Sequence, residues 1–260
     1  MSKKIQLYNE LYKKLLNISS AAGIERQQLE KYFQPEKRSK MYQLAYSLQN
    51  SGNMHNSIGI DSKNKRIIEE VLRDFNANEI VDKYRSYEKL YIAFKDKDVD
   101  HGTGEKRETN WKKYARGLFD GATYLSKEDG EAILDKLIEF NESEISEQII
   151  NEMLNIQKRI HGLGFALTCD WLKECGCTWL AKPDIHIKKV CEAINGNKKL
   201  NDKDVIRFMF EWAKEIETQD KDITAYKLDK VIWLICTGNF YLDNVKFGRD
   251  IIIKTIENIS

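Results

Sequence analysis

Two prolines in 260 residues leave little to interrupt a helical backbone. Pro35 closes a stretch bearing Leu29, Tyr32 and Phe33, because the residue before a proline avoids helical geometry; Pro183 ends one element and can open the next. An excess of one charge is missing too. Forty-two Lys and Arg against 41 Asp and Glu give +1 at pH 7, so any surface for nucleic acid must be a local patch and not a global coat. The longest wholly apolar run, Val231 to Cys236, is far too short to span a bilayer, so no membrane partner is expected. No secretory leader precedes the five cysteines, an odd number, which predicts a reducing cytoplasm and no disulfide frame. A C-x-x-C pair is also lacking. Cys169, Cys175, Cys177 and Cys191 fall near one another and near His186, but without that knuckle they read as small apolar core residues, and no metal is expected.

What the chain does have is apolar residues at helical spacing. Residues 3 to 17 carry Ile5, Tyr8, Leu11, Tyr12, Leu15 and Leu16 on one stripe. A helix over Lys40 to Leu48 buries Met41, Leu44, Ala45 and Leu48 and runs into a polar turn, Gln49-Asn50-Ser51-Gly52-Asn53. Ile67, Ile68, Val71, Leu72 and Phe75 predict another helix, and Ile80 through Phe94 the next. Lys95 to Asn110 is charged, contains glycine and has no period, so it is the longest expected loop. Helical order resumes at Trp111, and Ser126 is the expected cap of a helix bearing Ile133, Leu134, Leu137 and Ile138. Asn201 is a cap for a helix with Val205, Phe208, Met209, Trp212 and Ile216; Ala225 to Thr237 is the last strong pattern, stopping at Gly238. Strand alternation is sparse and no long repeat exists. The reading is all-α, with length enough for one large domain or two small lobes.

The densest chemistry lies between Ile160 and Val190. Ile160-His161-Gly162-Leu163-Gly164 is a tight glycine hairpin between two helical patterns. Its glycines allow positive φ and close approach of another backbone, and the second helix opens with unpaired N–H groups, which suits a phosphate; an ordinary αα corner uses the same turn chemistry. Farther on, Lys182-Pro183-Asp184-Ile185-His186 sets an acid near a new helix N-terminus, where it can cap free N–H groups or stand as a carboxylate at a cleft mouth. Lys188 and Lys189 follow closely, as a basic patch or a solvated face.

A glycine hairpin, an amphipathic helix and a proline-aspartate step with a histidine two residues on resembles the helix-hairpin-helix, Gly/Pro-Asp family of DNA glycosylases. The resemblance covers the hairpin-to-aspartate segment well and Leu44 to Gln49 loosely. It implies two helical lobes with an interdomain active-site cleft: residues 41–183, ending in a helix-hairpin-helix at about 144–176, and residues 1–40 with 184–260, with an insertion between Asn53 and Glu142. Asp184 would be the catalytic carboxylate and His186 a supporting group or a helix cap. Gly162, Leu163, Gly164, Lys188 and Lys189 would meet DNA, and Gln49 or Asn50 would fill the stack left by a flipped base. Trp111, Trp171, Trp233, Phe240 and Tyr241 are candidates for holding that base, and equally for the core.

Bifunctional members carry a lysine two residues after the second hairpin glycine, where this chain has Ala166. The resemblance therefore implies a monofunctional glycosylase that leaves an abasic site in double-stranded DNA, a cytoplasmic monomer. Its role would be base-excision repair or defence against phage DNA with modified cytosine, such as glucosylated hydroxymethylcytosine. No cofactor is expected: beyond Cys191 only Cys236 remains, too few for the iron–sulfur cluster of some members, while the hairpin backbone offers a place for a monovalent ion. Lys182 stands where the family name has glycine, a departure at a position that varies. A non-catalytic hairpin protein that binds DNA, a lyase using a lysine elsewhere, and a helical protein–protein module are the other readings.

Overall fold

The computed structural model describes residues 2–99, 109–237 and 250–259, and among them every regular element is helical. The chain divides into two compact units. A terminal unit comprises Met1–Glu36, Phe140–Ser146 and Gly176–Ser260; a central unit comprises Lys37–Glu139 and Glu147–Cys175.

The terminal unit opens with α1 (Lys3–Ala21) and α2 (Arg26–Tyr32). Ser2 caps α1 by accepting the Ile5 N–H, and Leu11 and Leu15 of its apolar stripe are fully buried. The helix outlasts residue 17 because Ser19 turns its hydroxyl onto the Leu15 carbonyl at 2.7 Å, satisfying itself inside the helix.

The central unit holds α3 (Lys40–Gln49), α4 (His55–Ile58), α5 (Lys65–Val71), α6 (Ala77–Tyr84), α7 (Tyr87–Lys95), α8 (Asn110–Leu125), α9 (Glu128–Ile138), α10 (Glu147–Arg159) and α11 (Phe165–Glu174). Three helix ends differ from the sequence expectation. The helix expected through Phe75 stops at Val71, since Arg73, Asp74 and Phe75 are all left-handed (φ 52, 52 and 63°), with Phe75 edge-on to Tyr42 at 4.9 Å. Ile80 to Phe94 forms two helices, parted where Arg85 takes φ 60° and Ser86 caps the second by accepting the Lys89 N–H. Ser126 ends α8, donating to the Thr123 carbonyl, and does not cap α9, whose N-cap Lys127 makes no side-chain bond.

In the central unit α8 packs against α3, α6 and α7 and buries Trp111, Tyr114, Ala115, Leu118 and Ala122. Trp171 of α11 is fully buried and gives its Nε1–H to the Lys40 carbonyl at 2.9 Å, tying α11 to the start of α3. Truncating a buried tryptophan costs about 3–5 kcal/mol.

The terminal unit resumes with α12 (Ile185–Ile194), α13 (Asp202–Ile216), α14 (Ala225–Thr237) and α15 (Asp250–Ile259). Asn201 caps α13 by accepting the Asp204 N–H at 3.0 Å, and the buried Trp212 donates to the Lys4 carbonyl at 3.0 Å. Residues 140–146 belong here: Phe140 packs on Trp179 at 4.5 Å, and Arg207 Nε donates to the Ile145 carbonyl at 3.3 Å. Of the segments assigned to it from sequence, the terminal unit keeps 1–36 and 184–260 and gives 37–40 to the central unit, and it takes 140–146 and 176–183 in addition. Residues 100–108 of the expected loop, Gly238, Phe240 and Tyr241 lie outside the described residues. No described helix is long and apolar enough to cross a membrane.

Candidate functional site

The hairpin sits in the central unit between α10 and α11, and two apolar residues anchor it: Ile160 and Leu163 are 2% and 3% exposed. Leu163 therefore serves the core with its side chain and donates its N–H back to the Ile160 carbonyl at 3.3 Å. Of the two glycines only Gly162 is left-handed, at φ 79°. Gly164 is extended (φ −76°, ψ 168°), because it is the N-cap of α11, and this corrects the expectation of positive φ at both. Gly164 brings no side chain to the free N–H groups of the first turn of α11, and apart from its chain neighbours no atom of the described residues lies within 4 Å of where its Cβ would be. That helix start is open to a ligand, and Ala166 lies within its first turn.

Neighbours hold the hairpin from below and from one side. Asp120 Oδ2 accepts the His161 N–H at 3.0 Å, and Ser51 Oγ donates to the Gly162 carbonyl at 3.0 Å. Gly117 lets α8 approach so closely that a methyl there would lie 2.5 Å from the His161 carbonyl oxygen. One turn later, a methyl on Gly121 would collide with the Leu44 side chain of α3. The Gly-x-x-x-Gly spacing of α8 was the sequence signal for this close approach, while Ser51 and Asp120 carried none.

Ser51 brings the polar turn after α3 to the hairpin. Within that turn Gln49 faces inward, 7% exposed, its Oε1 accepting the Ile60 N–H at 3.2 Å. A side chain so committed is not presented to a duplex. Asn50 is exposed, its Nδ2 reaching only the Tyr46 carbonyl at 3.5 Å. A recess of about 90 Å³ lies between turn, hairpin and the start of α8.

Asp184 sits in the terminal unit as the N-cap of α12. Pro183, with its fixed φ, is the centre of a γ-type turn in which the Asp184 N–H donates to the Lys182 carbonyl at 2.7 Å. The half-buried carboxylate accepts two N–H bonds through Oδ1, from His186 at 2.8 Å and Ile187 at 3.0 Å. Oδ2 makes no hydrogen bond among the described residues. His186 orients the carboxylate through its backbone; its ring Nδ1 is enclosed and has no hydrogen-bond partner among the described residues. Ile185, between them, is 62% exposed. Of the lysines that follow, Lys188 is paired with Asp202 at 3.1 Å and Lys189 is exposed.

No family model matches the chain, and no curated protein or solved structure does either. What the site can do rests on its own chemistry.

Among the described residues no three His, Cys, Asp or Glu side chains gather as metal ligands would. Cys169 and Cys175 belong to the central unit, Cys177 and Cys191 to the terminal one. Burial pushes the thiols of Cys175 and Cys191 well above their ordinary range, which keeps them neutral and unreactive. Trp111 and Trp171 are core residues, 3% and 0% exposed, and Trp233 is half-buried.

Proposed function

We propose that the protein is a monofunctional DNA glycosylase that flips a modified base and hydrolyses its N-glycosidic bond, leaving an abasic site. The observation that carries this reading is the Ser51–Gly162 bond: two stretches 111 residues apart, each matched to a DNA-facing element of the same enzyme family, form one surface in the central unit. An open helix start beside a left-handed glycine supports phosphate contact there.

In the reaction the bond between C1′ and the base breaks, and the electron pair leaves with the base. Positive charge builds on the sugar, and a fixed carboxylate about 3–4 Å away would stabilise it far better than bulk water does. Asp184 Oδ2, uncommitted while Oδ1 holds the cap, is the oxygen for that task and for drawing a proton from the attacking water. The water oxygen then bonds to C1′, and the proton passes on to the departing base. Ala166 offers no amine to the sugar. Lys173, the buried lysine of α11, lies 3.9 Å from Asp170 and 3.7 Å from Glu174, so its charge is already matched. The lyase reading therefore ranks lower. The role is repair or defence against phage DNA with modified cytosine.

The second reading, a hairpin protein that binds DNA without chemistry, is favoured by one fact: both bonds to Asp184 are those of an ordinary helix cap. The test is incubation with genomic and phage DNAs, hypermodified ones included, with released bases identified by mass spectrometry. Asp184→Asn keeps a good N-cap, so it should abolish release while duplex affinity stays equal or rises. Absence of release from every DNA by the wild type, with binding intact, overturns the enzymatic reading in favour of the binder. Absence of binding at any salt overturns both.

A further inference from the structure

The recess beside the hairpin is walled by apolar Leu48 and Met54 and by polar Ser51, Asn110, Lys113 and His161. None of its lining residues is acidic, and one, Lys113, is a full cation. Several lysines elsewhere are matched: Lys40 lies 2.6 Å from Asp135, Lys136 2.9 Å from Glu152, Lys188 3.1 Å from Asp202 and Lys199 3.1 Å from Glu192. Lys113 is half-buried and makes no ion pair among the described residues. With no acid in the lining, the Lys113 charge raises the local potential and favours an anion from outside.

The other polar groups fit the same need. Asn110 stands one turn before Lys113 on α8 and uses its Nδ2 on Ser57 Oγ at 3.1 Å, which leaves its second amide hydrogen to give. Ser51 spends its hydroxyl hydrogen on the Gly162 carbonyl, which fixes the wall without adding negative charge. At about 90 Å³ the recess has room for a phosphate group.

We infer that this recess is a phosphate subsite in which Lys113, with Asn110, grips a backbone phosphate of DNA beside the polar turn. It rests on the glycosylase reading only in supposing that the protein binds DNA, and it assigns Lys113 a role in binding and none in the chemical step. The site is separate from the open start of α11, whose N–H groups lie beyond Gly164, whereas the recess is bounded by His161 and Gly162.

The experiment measures duplex binding by fluorescence anisotropy between about 50 and 200 mM salt, in the Asp184→Asn background, where no product forms. Lys113→Met keeps most of the apolar stem, and Lys112→Met, which makes the same change of net charge outside the recess, is the control. Losing one phosphate contact lowers the slope of log affinity against log salt by about 0.9, weakens binding roughly fivefold at low salt, and does so alike for unrelated duplexes. Lys112→Met should leave the slope within error.

A parent that binds duplex, with a slope untouched by Lys113→Met or reduced equally by Lys112→Met, overturns the subsite and leaves the glycosylase reading standing. A parent that binds no duplex overturns both. Phosphate replacing chloride at equal ionic strength should displace the duplex no better than chloride. Stronger displacement that depends on Lys113 would mark a free-phosphate site and overturn the assignment to the DNA backbone.

Discussion

The hairpin at 160–164 and the proline-aspartate step at 182–187 are held in opposite ways. The hairpin takes its shape from distant residues: Asp120 and Ser51 bond its backbone, and Gly117 makes room for it. The step takes its shape from its own residues, a turn across Pro183 and a cap from Asp184 to the two amides that follow. Under the proposed function, a site that grips a long polymer benefits from a hairpin braced by the whole unit, and a carboxylate that keeps one oxygen free can be set by a few consecutive residues. Damage to the braced backbone of the hairpin should therefore act through stability, and damage to the step through the proposed chemistry.

The sharpest break of the braced region is Gly117→Ala. The new methyl meets a backbone oxygen that cannot turn away, so overpacking should cost about 2–3 kcal/mol despite a better helix propensity, read as a lower urea midpoint and weaker DNA binding. Gly121→Ala meets the Leu44 side chain, with Ile160 Cδ1 at 4.0 Å, and side chains can give where a backbone oxygen cannot, so it should cost less than Gly117→Ala. Gly162→Ala comes next, with alanine forced to φ 79°, at about 1–2 kcal/mol in the same measurement. Gly164→Ala is the companion: its methyl enters open space at an extended φ, so stability should stay within about 0.5 kcal/mol while duplex affinity falls. Equal losses of stability at Gly162 and Gly164 would end the distinction between them.

At the locally built step, Asp184→Ala should cost about 1 kcal/mol for the lost cap, and Asp184→Asn a few tenths at most. Both should lose base release under the proposed function, so activity and stability separate. The smallest effect lies at the other end of α12. Glu192 accepts from Lys199 Nζ at 3.1 Å and from the Leu200 N–H at 3.2 Å, and the Lys199 bond holds its carboxyl below the usual carboxylate range. A group that binds its proton more weakly folded than unfolded stabilises above its ordinary pKa, and that stability is lost as pH falls through the lowered value. The urea midpoints of wild type and Glu192→Gln should differ at pH 7 and converge as the pH is lowered below the usual carboxylate range.

How much was legible in the sequence follows the same divide. Asn201 as the cap of α13, the stripe of α1 and the last strong helix over Ala225 to Thr237 could be read because each depends on residues within a turn or two. The position of Asp184 as a cap could be read for the same reason. The breaks at Arg73 to Phe75 and at Arg85 could not, because ordinary side chains there are left-handed and no local preference announces it. Gln49 looked like a group for solvent and faces inward, since the amide of Ile60, eleven residues on, needs its oxygen. Lys113 was one lysine among many until three segments closed a recess around it.

By itself the sequence determined that the protein is helical, where its helices begin when a polar cap announces them, and that a carboxylate stands at the start of α12. These follow from forces that reach no farther than one turn of backbone. Tertiary structure decided that the turn after α3 meets the hairpin, which glycine needs its freedom and which lysine lines the recess. Those outcomes depend on how backbones more than a hundred residues apart approach and exclude water, and close packing between segments leaves only a faint, two-glycine trace in the order of residues.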